Sequence, residues 1–352
     1  MTAIVERIVP PAAAIRDVIG SGSTELAAFH AAFSEMKCLD QIEQTMPPAS
    51  SPPLLASARI VFWNAERLKY LAPSIAMLGA ARADAYVLCE LDLGMARSGN
   101  IHTTEGLAQG LGAGYIFAVE FVELGLGDNR ERGWHKGATN TFGLHGAGFV
   151  SRQVLLRPRL LRLERSGRWF DGKFGERRVG GRIAIMAELE IGGKPVLLVS
   201  VHYESHTGPE DRLAQTRLLL DNIDRFSPGQ PVLIGGDFNT NTLDRGNHER
   251  PEIVLDALRD DPLRLDLPMA YEPMFQELRG RGYDWRSCNV MGARTQRTRP
   301  DGTPKGPLGR IDWFFSRGLT CSNPAVIPAV DQAGVAISDH EALAVTIQLP
   351  GI

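Results

Sequence analysis

The chain has 352 residues, of which 43% are hydrophobic and 22% are charged, and these are ordinary values for a globular protein. Its net charge of -3 and its pI near 6.3 argue against a protein that coats nucleic acid, because neutralising phosphates requires a basic surface. Four scattered cysteines without a CxxC pair exclude a disulfide scaffold and a structural zinc site, so reduced thiols and a cytoplasmic location are expected. Neither a signal peptide nor a membrane span is expected from the sequence.

The first 56 residues differ in character from the rest, and 1–56 is predicted to be an N-terminal appendage. Apolar residues recur every three or four positions from Thr24 to Met36, which predicts a helix. The proline-rich segment 46–53 follows and predicts a linker. From 57 to 352, short apolar runs alternate with loops rich in glycine, proline and arginine, and this part is predicted to be one domain.

Short runs rich in valine, isoleucine, leucine and phenylalanine have the length and composition of β-strands. A helix is predicted from Pro209 to Phe226, where proline suits the first turn and leucines form an apolar stripe. Strands outnumber helices, so the predicted fold class is α/β (α+β), a four-layer sandwich of two packed mixed β-sheets flanked by helices. The predicted strands are Arg59–Trp63, Ala85–Cys89, Tyr115–Phe121, Gly148–Ser151, Arg182–Ile191, Val196–Val201, Val232–Ile234, Arg310–Phe315 and Ala342–Leu349.

Polar residues that suit catalysis stand where these apolar runs end. Each of them alone has an ordinary explanation as a turn, cap or strand-edge residue, but they occur together and on compatible elements. Their carboxylate and carboxamide oxygens suit Mg²⁺ or Mn²⁺, and histidines beside such an ion suit proton transfer. They are Asn64 and Glu66 after IVFW, Glu90 in AYVLCE, His202 in LLVSVH, Asp237 and Asn239 in VLIGGDFN, Asp312 in GRIDWFF, and Asp339 and His340 in AISDH.

The ordered motifs FWNAE, LCE, SVHYES, GGDFN, GRIDW and SDH resemble the endonuclease/exonuclease/phosphatase superfamily. That superfamily includes pancreatic deoxyribonuclease, abasic-site endonucleases, neutral sphingomyelinases and inositol polyphosphate 5-phosphatases. The resemblance runs from about residue 59 to 345, and GDFN followed by SDH is its most specific part. It implies a divalent-metal-dependent hydrolase that cleaves a phosphodiester or phosphomonoester with a metal-assisted water.

The resemblance also implies a metal site for Mg²⁺ or Mn²⁺. Glu90 resembles the principal ligand of the family, and Asn64, Glu66 and Asp339 resemble members of the metal or phosphate shell. Asn64 is therefore expected to serve both the ion and the substrate phosphate.

For catalysis, Asp237 resembles the residue that orients or deprotonates the attacking water, and Asn239 resembles the amide that holds the phosphate or that water. His340 resembles a phosphate-contacting histidine oriented by Asp312 in a His–carboxylate dyad. A carboxylate behind an imidazole fixes its tautomer and favours the imidazolium form, so the physical chemistry agrees with these roles.

His202 resembles the second histidine of the family, which is expected to protonate the leaving group. Glu120, at the end of GYIFAVE, stands where the nuclease branch has the glutamate partner of that histidine. His206 follows His202 by four residues, a spacing that indicates zinc on a helix. Because the first histidine ends a strand and Gly208 and Pro209 follow, a zinc role is disfavoured.

Two arginine-rich stretches, 157–182 and 279–310, are either solvated faces or a rim for an anionic substrate, since guanidinium binds phosphate in a bidentate manner. The second stretch precedes GRIDW, so Arg294 and Arg297 are predicted to overhang the site, bind the substrate and set its choice.

Other functions stay open at this stage. A DNA or RNA endo- or exonuclease requires an extended basic and aromatic groove, and a lipid-directed phosphodiesterase favours an exposed apolar loop near the site. A catalytically inactive scaffold of the same fold is disfavoured, because the motif residues are all present. The expected partner is a phosphate-ester substrate of unspecified identity, and the sequence indicates no obligate protein partner.

Overall fold

The computed structural model describes residues 2–48, 54–240, 256, 259–261, 265, 267–297 and 309–351. The segment predicted as a linker, 46–53, lies partly outside the described residues, and so does part of the second arginine-rich stretch.

Two mixed β-sheets form the centre of the described structure. The larger sheet has the order β1-β2-β5-β6-β4-β3-β14-β13, with β8 paired to β5, and the smaller sheet has the order β12-β11-β10-β9-β7. Their strands are β1 Ala3–Val5, β2 Gln41–Thr45, β3 Ala58–Arg67, β4 Ala85–Leu93, β5 Gly114–Glu123, β6 Leu144–Ser151, β7 Leu156–Arg162, β8 Arg178–Gly180, β9 Ile183–Ile191, β10 Lys194–His202, β11 Val232–Asp237, β12 Asp312–Arg317, β13 Thr320–Ile327 and β14 Ala342–Gln348.

Helices cover the outer faces of both sheets. Helices α3 and α4 pack on the larger sheet and α6 packs on the smaller one, as the apolar clusters that they share with the strands show. The helices are α1 Ala13–Ser21, α2 Leu26–Glu35, α3 Leu71–Ala81, α4 Thr103–Leu111, α5 Asn129–Trp134, α6 Pro209–Phe226 and α7 Met274–Gly280. Among the described residues, no helix has the length and apolar character that crossing a membrane requires.

The alternation of side chains along each strand explains the layers. In β3, Ile60 and Phe62 point into the apolar layer between the sheets, while Val61 and Trp63 point into the layer beneath the helices. A strand that is buried on both faces therefore has apolar residues at successive positions. Such a run is conspicuous in the sequence, and it predicts the strand well. The predicted sandwich of two packed mixed sheets flanked by helices is confirmed.

All of the predicted strands are present, and the helix predicted at Pro209–Phe226 has those bounds. The predicted helix Thr24–Met36 is present as α2. The sequence patterns did not predict β1, β2, β7, β8 or β13. Within 1–56, β1 pairs with β2, and Ile42 of β2 pairs with Ala118 of β5, so this segment adds two strands to the edge of the larger sheet.

Candidate active site

Irregular backbone at two strand ends places Asn64 and Glu90 side by side. The pairing of β3 with β4 shifts register after Asn64, and the pairing of β4 with β6 shifts register after Leu88. Glu90 has a φ of 54°, in the left-handed region that residues with a side chain disfavour. Such strain persists where surrounding contacts hold it and is concentrated at functional sites. Here Asn64 Nδ2 donates a hydrogen bond to Glu90 Oε1 at 3.2 Å.

The loop before β14 brings Asp339 to the same strand ends. Its backbone N–H donates to Glu66 Oε2 at 3.1 Å, and Lys69 Nζ lies 3.0 Å from Glu66 Oε1. Glu66 and Asp339 are both buried. The Glu66 N–H also donates to Asn64 Oδ1 at 3.2 Å, so a chain of hydrogen bonds connects the four predicted metal residues.

The smaller sheet contributes Asp237 and His202, which lie opposite each other in the parallel pair β10–β11. Asn64 Nδ2 also donates to Asp237 Oδ2 at 3.0 Å, so one amide joins carboxylates from the two sheets. The backbone N–H of Asn239 donates to Asp237 Oδ1 at 2.9 Å, and the Asn239 side chain donates to the Tyr203 carbonyl at 2.9 Å. These hydrogen bonds fix Asp237 and Asn239, the two polar residues of the GDFN motif, at the cavity wall.

Two imidazoles approach Asp237 from different elements. His202 Nε2 lies 3.7 Å and His340 Nε2 lies 3.9 Å from Asp237 Oδ2. On its other side, His340 Nδ1 lies 2.9 Å from Asp312 Oδ2. Burial alone would lower the pKa of His340, but the carboxylate of Asp312 raises it to about 10. The contact with Asp312 therefore favours the imidazolium form of His340.

His202 has a second carboxylate neighbour and a cationic one. Its Nδ1 lies 3.5 Å from Glu120 Oε2, the partner expected from the sequence. Arg182 places one guanidinium nitrogen 2.7 Å from Glu120 Oε1 and 3.0 Å from His202 Nδ1. Burial alone would raise the pKa of Glu120, but the charges of His202 and Arg182 hold it well below its usual range.

Sequence analysis did not single out Arg182 as a site residue, because it lies within an arginine-rich stretch. The available signal was its position directly before the apolar run of β9, since other site residues also stand at the ends of such runs. Arg67 is a further residue without a sequence signal. It hydrogen-bonds Glu90 and lies 3.1 Å from Glu131 and 3.7 Å from Glu176, two acids remote in sequence.

Many of these groups line one cavity of about 250 Å³, whereas Asn64, Glu120, Asp312 and Asp339 lie behind its lining residues. Its lining includes four arginines and five carboxylates, so the cavity is electrostatically mixed and has no excess of basic side chains. The arginines are Arg67, Arg130, Arg178 and Arg182, and the acids are Glu66, Glu90, Asp128, Glu176 and Asp237.

The donor atoms fit a hard divalent cation. Glu90, Glu66 and Asp339 supply buried carboxylates and Asn64 supplies a carboxamide oxygen, which is the chemistry that Mg²⁺ and Mn²⁺ prefer. Two other groups among the described residues have ligand atoms within 4.8 Å of one another, Asp237 with Asp312 and His340, and Asp128 with Glu131 and Glu176. The group of Asp237, Asp312 and His340 lies at the centre of the proposed chemistry. Since His340 Nδ1 is hydrogen-bonded to Asp312, that group has the geometry of a catalytic dyad beside a carboxylate.

Arg294 and Arg297, predicted to overhang the site, do not line the cavity. The Arg297 guanidinium donates to the Ala329 carbonyl at 3.0 Å. Gln296 lines the cavity instead, because it forms an isolated β-bridge with His340. Neighbouring side chains of an extended segment point in opposite directions, so a cavity-facing Gln296 turns Arg297 away.

Comparison with known proteins gives a match to a protein family. The model of the "Endonuclease/Exonuclease/phosphatase family" matches residues 62–340. That range includes every strand end described above, from Asn64 to His340. Among curated proteins, no sequence matches this chain.

Many solved structures share the fold at low sequence identity. An endonuclease/exonuclease/phosphatase from Beutenbergia cavernae is 18% identical, with a TM-score of 0.57 over 84% of this chain and 72% of that one. The human nocturnin catalytic domain with bound sulfate is 16% identical, with a TM-score of 0.55 over 87% and 97%. A mannosyl-6-phosphatase from Bacteroides thetaiotaomicron is 13% identical, with a TM-score of 0.51 over 82% and 98%. At such identities the likeness establishes the fold.

Proposed function

Because this chain belongs to the endonuclease/exonuclease/phosphatase family, we propose that it is a divalent-metal-dependent phosphoesterase that hydrolyses a phosphodiester or phosphomonoester. One observation carries the proposal. Asp237 lies within 4 Å of two imidazoles, those of His202 and His340, and shares the Asn64 amide with Glu90. The carboxylates of Glu66, Glu90 and Asp237 and the imidazoles of His202 and His340 thus line one cavity, which supports these roles.

In the proposed reaction, Asp237 accepts a proton from the attacking water. Its carboxylate is oriented by hydrogen bonds from Asn64 and from the Asn239 backbone, so an Oδ atom can align a water without reorganisation. The Asn239 side chain, fixed to the Tyr203 carbonyl, holds that water or the phosphate.

Charge that develops on the phosphoryl oxygens is stabilised by His340 and Arg182. His340 is held as a cation by Asp312, and Arg182 is a buried guanidinium at the cavity wall. Preorganised cations in a water-poor site stabilise such charge more than they would in bulk water. His202, oriented by Glu120, donates a proton to the departing oxygen.

Glu90, with Asn64, Glu66 and Asp339 around it, would hold the divalent cation. The bound ion would supply Lewis-acid polarisation of the phosphoryl oxygens and help to lower the pKa of a nearby water. Arg67 hydrogen-bonds Glu90 and so compensates part of the negative charge of the ligand set.

The charge balance of the cavity favours a small ester over a nucleic-acid chain. Proteins that track a nucleic-acid backbone present an excess of Lys and Arg, whereas this lining has five acids against four arginines and the imidazolium of His340. Substrate choice is therefore proposed to depend on groups inside the cavity. The four free thiols also support the cytoplasm as the proposed location.

The test is hydrolysis of bis(p-nitrophenyl) phosphate and p-nitrophenyl phosphate with EDTA, Mg²⁺ or Mn²⁺. We expect metal-dependent release of nitrophenol, and a loss of two or more orders of magnitude in kcat for Asp237→Asn. Asp221→Asn, at a half-exposed side chain on α6, is the matched control and should retain turnover. Equal turnover by wild type and Asp237→Asn would refute the assignment of the base, and turnover that is unaffected by EDTA would refute metal dependence.

A further inference from the structure

A cluster of aromatic rings stands beside His202 and is not used by the proposed chemistry. Trp169 and Phe174 come from the loop between β7 and β8, and His206 comes from the loop after β10. The Phe174 and His206 ring centroids are 4.1 Å apart at an interplanar angle of 34°. Trp169 meets both rings edge-on, with centroids 5.2 Å from Phe174 and 4.7 Å from His206.

Trp169 is the fixed member of this cluster. Its indole N–H donates to Glu204 Oε2 at 2.8 Å, and the Arg178 guanidinium lies 3.8 Å from the centre of its ring. Only 5% of Trp169 is exposed. Phe174 and His206 therefore rest on a rigid support, and a ligand that binds against them loses little entropy by ordering the protein.

Phe174 and His206 are the open members of the cluster. Phe174 is 37% exposed and the His206 side chain is 42% exposed. Both side chains line the site cavity and also a second, open hollow. The pair therefore forms a thin wall between the two spaces, and one side of this wall faces the reacting groups. An exposed aromatic wall in a catalytic cavity is suited to a flat ring, which gains from stacking and from removal of apolar surface from water.

Short contacts connect this wall to the reaction centre. Arg182 contacts His202 at 3.0 Å and Glu204 at 3.3 Å, and Glu204 in turn holds Trp169. The wall thus stands on the side of His202, the proposed proton donor to the departing oxygen. A ring joined to that oxygen through a few bonds would reach Phe174 and His206.

We propose that Phe174 and His206 form a stacking subsite for a planar unsaturated ring carried by the alcohol part of the substrate. This inference rests on the proposed phosphoesterase function and narrows its substrate class. The ring is either a nucleobase or a phenyl group, since both offer a flat π-face, and saturated sugars, polyols and acyl chains are disfavoured. Phe174 and His206 are binding residues that set specificity through KM.

The experiment compares esters that differ in the ring and share similar alcohol chemistry. One pair is uridine 5′-monophosphate and ribose 5-phosphate, and the other is benzyl phosphate and cyclohexylmethyl phosphate. If the enzyme prefers diesters, the methyl esters of the same compounds replace them. The measured quantity is the ratio of kcat/KM between the ring-bearing and ring-free members of each pair.

We expect wild type to prefer the ring-bearing ester, and Phe174→Ala and His206→Ala to lower that ratio by about tenfold, since stacking of one base is of this size. His206→Phe retains a ring and should retain the ratio. Phe142→Ala is the matched control, because Phe142 is also 37% exposed but does not line the cavity. A preference in the uridine pair alone identifies a nucleobase, and one in the benzyl pair alone identifies a phenyl group.

No ring preference in wild type, or a preference that survives both alanine variants, would overturn the stacking subsite while leaving the phosphoesterase function intact. If wild type hydrolyses none of these esters or the nitrophenyl esters, the proposed function fails. Calorimetric titration with uridine 5′-monophosphate and with benzyl phosphate then tests the subsite by itself. If wild type binds either compound and Phe174→Ala does not, the subsite is supported. If wild type binds neither compound, or if the two proteins bind both compounds equally well, the subsite is overturned.

Discussion

His340 and Asp312 form a buried ion pair in which the imidazole Nδ1 lies 2.9 Å from one carboxylate oxygen and 3.1 Å from the other. The two residues come from different sheets, Asp312 from the first position of β12 and His340 from the loop before β14. Water is excluded from both side chains, so their attraction is weakly screened. The pair fixes which nitrogen of His340 faces Asp312 and leaves Nε2 toward Asp237 and the cavity.

Replacing Asp312 by Asn should remove the charge that keeps His340 protonated. Asp312 raises the pKa of His340 to about 10, so in wild type the imidazolium persists until pH rises through that value. In Asp312→Asn burial still lowers the pKa and only the carboxylates of Asp237 and Asp339 still raise it, so the proton should be lost at a clearly lower pH than in wild type. NMR titration of the His340 ring protons in EDTA-treated protein measures this. An unchanged titration in the variant would contradict the assigned cause.

Glu90→Gln should abolish stabilisation by Mg²⁺. A ligand that binds only the folded state at one hundred times its Kd adds about 2.7 kcal/mol to the free energy of unfolding, which raises Tm by a few degrees in a chain of this size. We expect this increase in wild type and its loss in Glu90→Gln, because the variant removes the central carboxylate. Glu190→Gln, at an exposed position of β9, is the control. A Mg²⁺-dependent rise in Tm equal to that of wild type in Glu90→Gln would place the metal elsewhere.

The predicted site residues are conspicuous in the sequence because their strands are buried on both faces. β4 and β11 begin with the apolar runs AYVLC and VLI, so the first charged residue after each run, Glu90 or Asp237, is easily recognised. Strands that include charged residues are not detected by a search for apolar runs. β7 includes three arginines in seven residues, and β13 is half-exposed along its length, so neither has an apolar run.

The arginines of the cavity could not be separated from solvated arginines by sequence. Arg67 meets Glu131 and Glu176 across more than 60 residues of chain, and only the fold brings them together. Arg297 was predicted to bind the substrate because its arginine-rich stretch precedes GRIDW, but it lies outside the lining of the cavity and donates to the Ala329 carbonyl. Charge pairing and side-chain direction depend on long-range packing, to which local patterns are insensitive.

Glu43 of β2 should make the docking of the N-terminal segment dependent on pH. It accepts hydrogen bonds from the Ile8 N–H at 2.7 Å and the Tyr115 hydroxyl at 2.5 Å, and it pairs with His102 at 3.2 Å. Burial raises the pKa of Glu43, but these partners lower it to about 2, against an ordinary value of 4.5. A carboxylate whose pKa is lowered by folding stabilises the folded protein fully above about pH 4.5, and this stabilisation is lost as the pH falls toward 2.

Glu43→Gln should therefore lower the free energy of unfolding by about 2–3 kcal/mol at pH 7, and the difference from wild type should shrink as pH falls below about 4.5. Urea unfolding at a series of pH values measures this difference. A difference that stays constant between pH 7 and 3 would show that lost packing, and not the ionised carboxylate, is responsible.

The buried pair Arg212–Glu272 lies away from the site and tests how much the fold depends on internal charge. The Arg212 guanidinium contacts Glu272 at 2.5 and 3.0 Å, and both side chains are fully buried. Arg212→Met removes the cation that faces Glu272 and should cost about 3–5 kcal/mol in the free energy of unfolding. Arg212→Met combined with Glu272→Leu removes both charges and should recover most of that loss.

Arg217→Met is the matched control, because Arg217 lies about one and a half turns after Arg212 on α6 and pairs with Glu277 at the surface. Exposed pairs contribute about 1 kcal/mol or less, so this variant should remain close to wild type. Urea unfolding of the four proteins compares these values directly. A double variant as unstable as Arg212→Met alone would show that the guanidinium acts through packing and through its bond to the Thr207 carbonyl, and that the loss of charge pairing with Glu272 costs little.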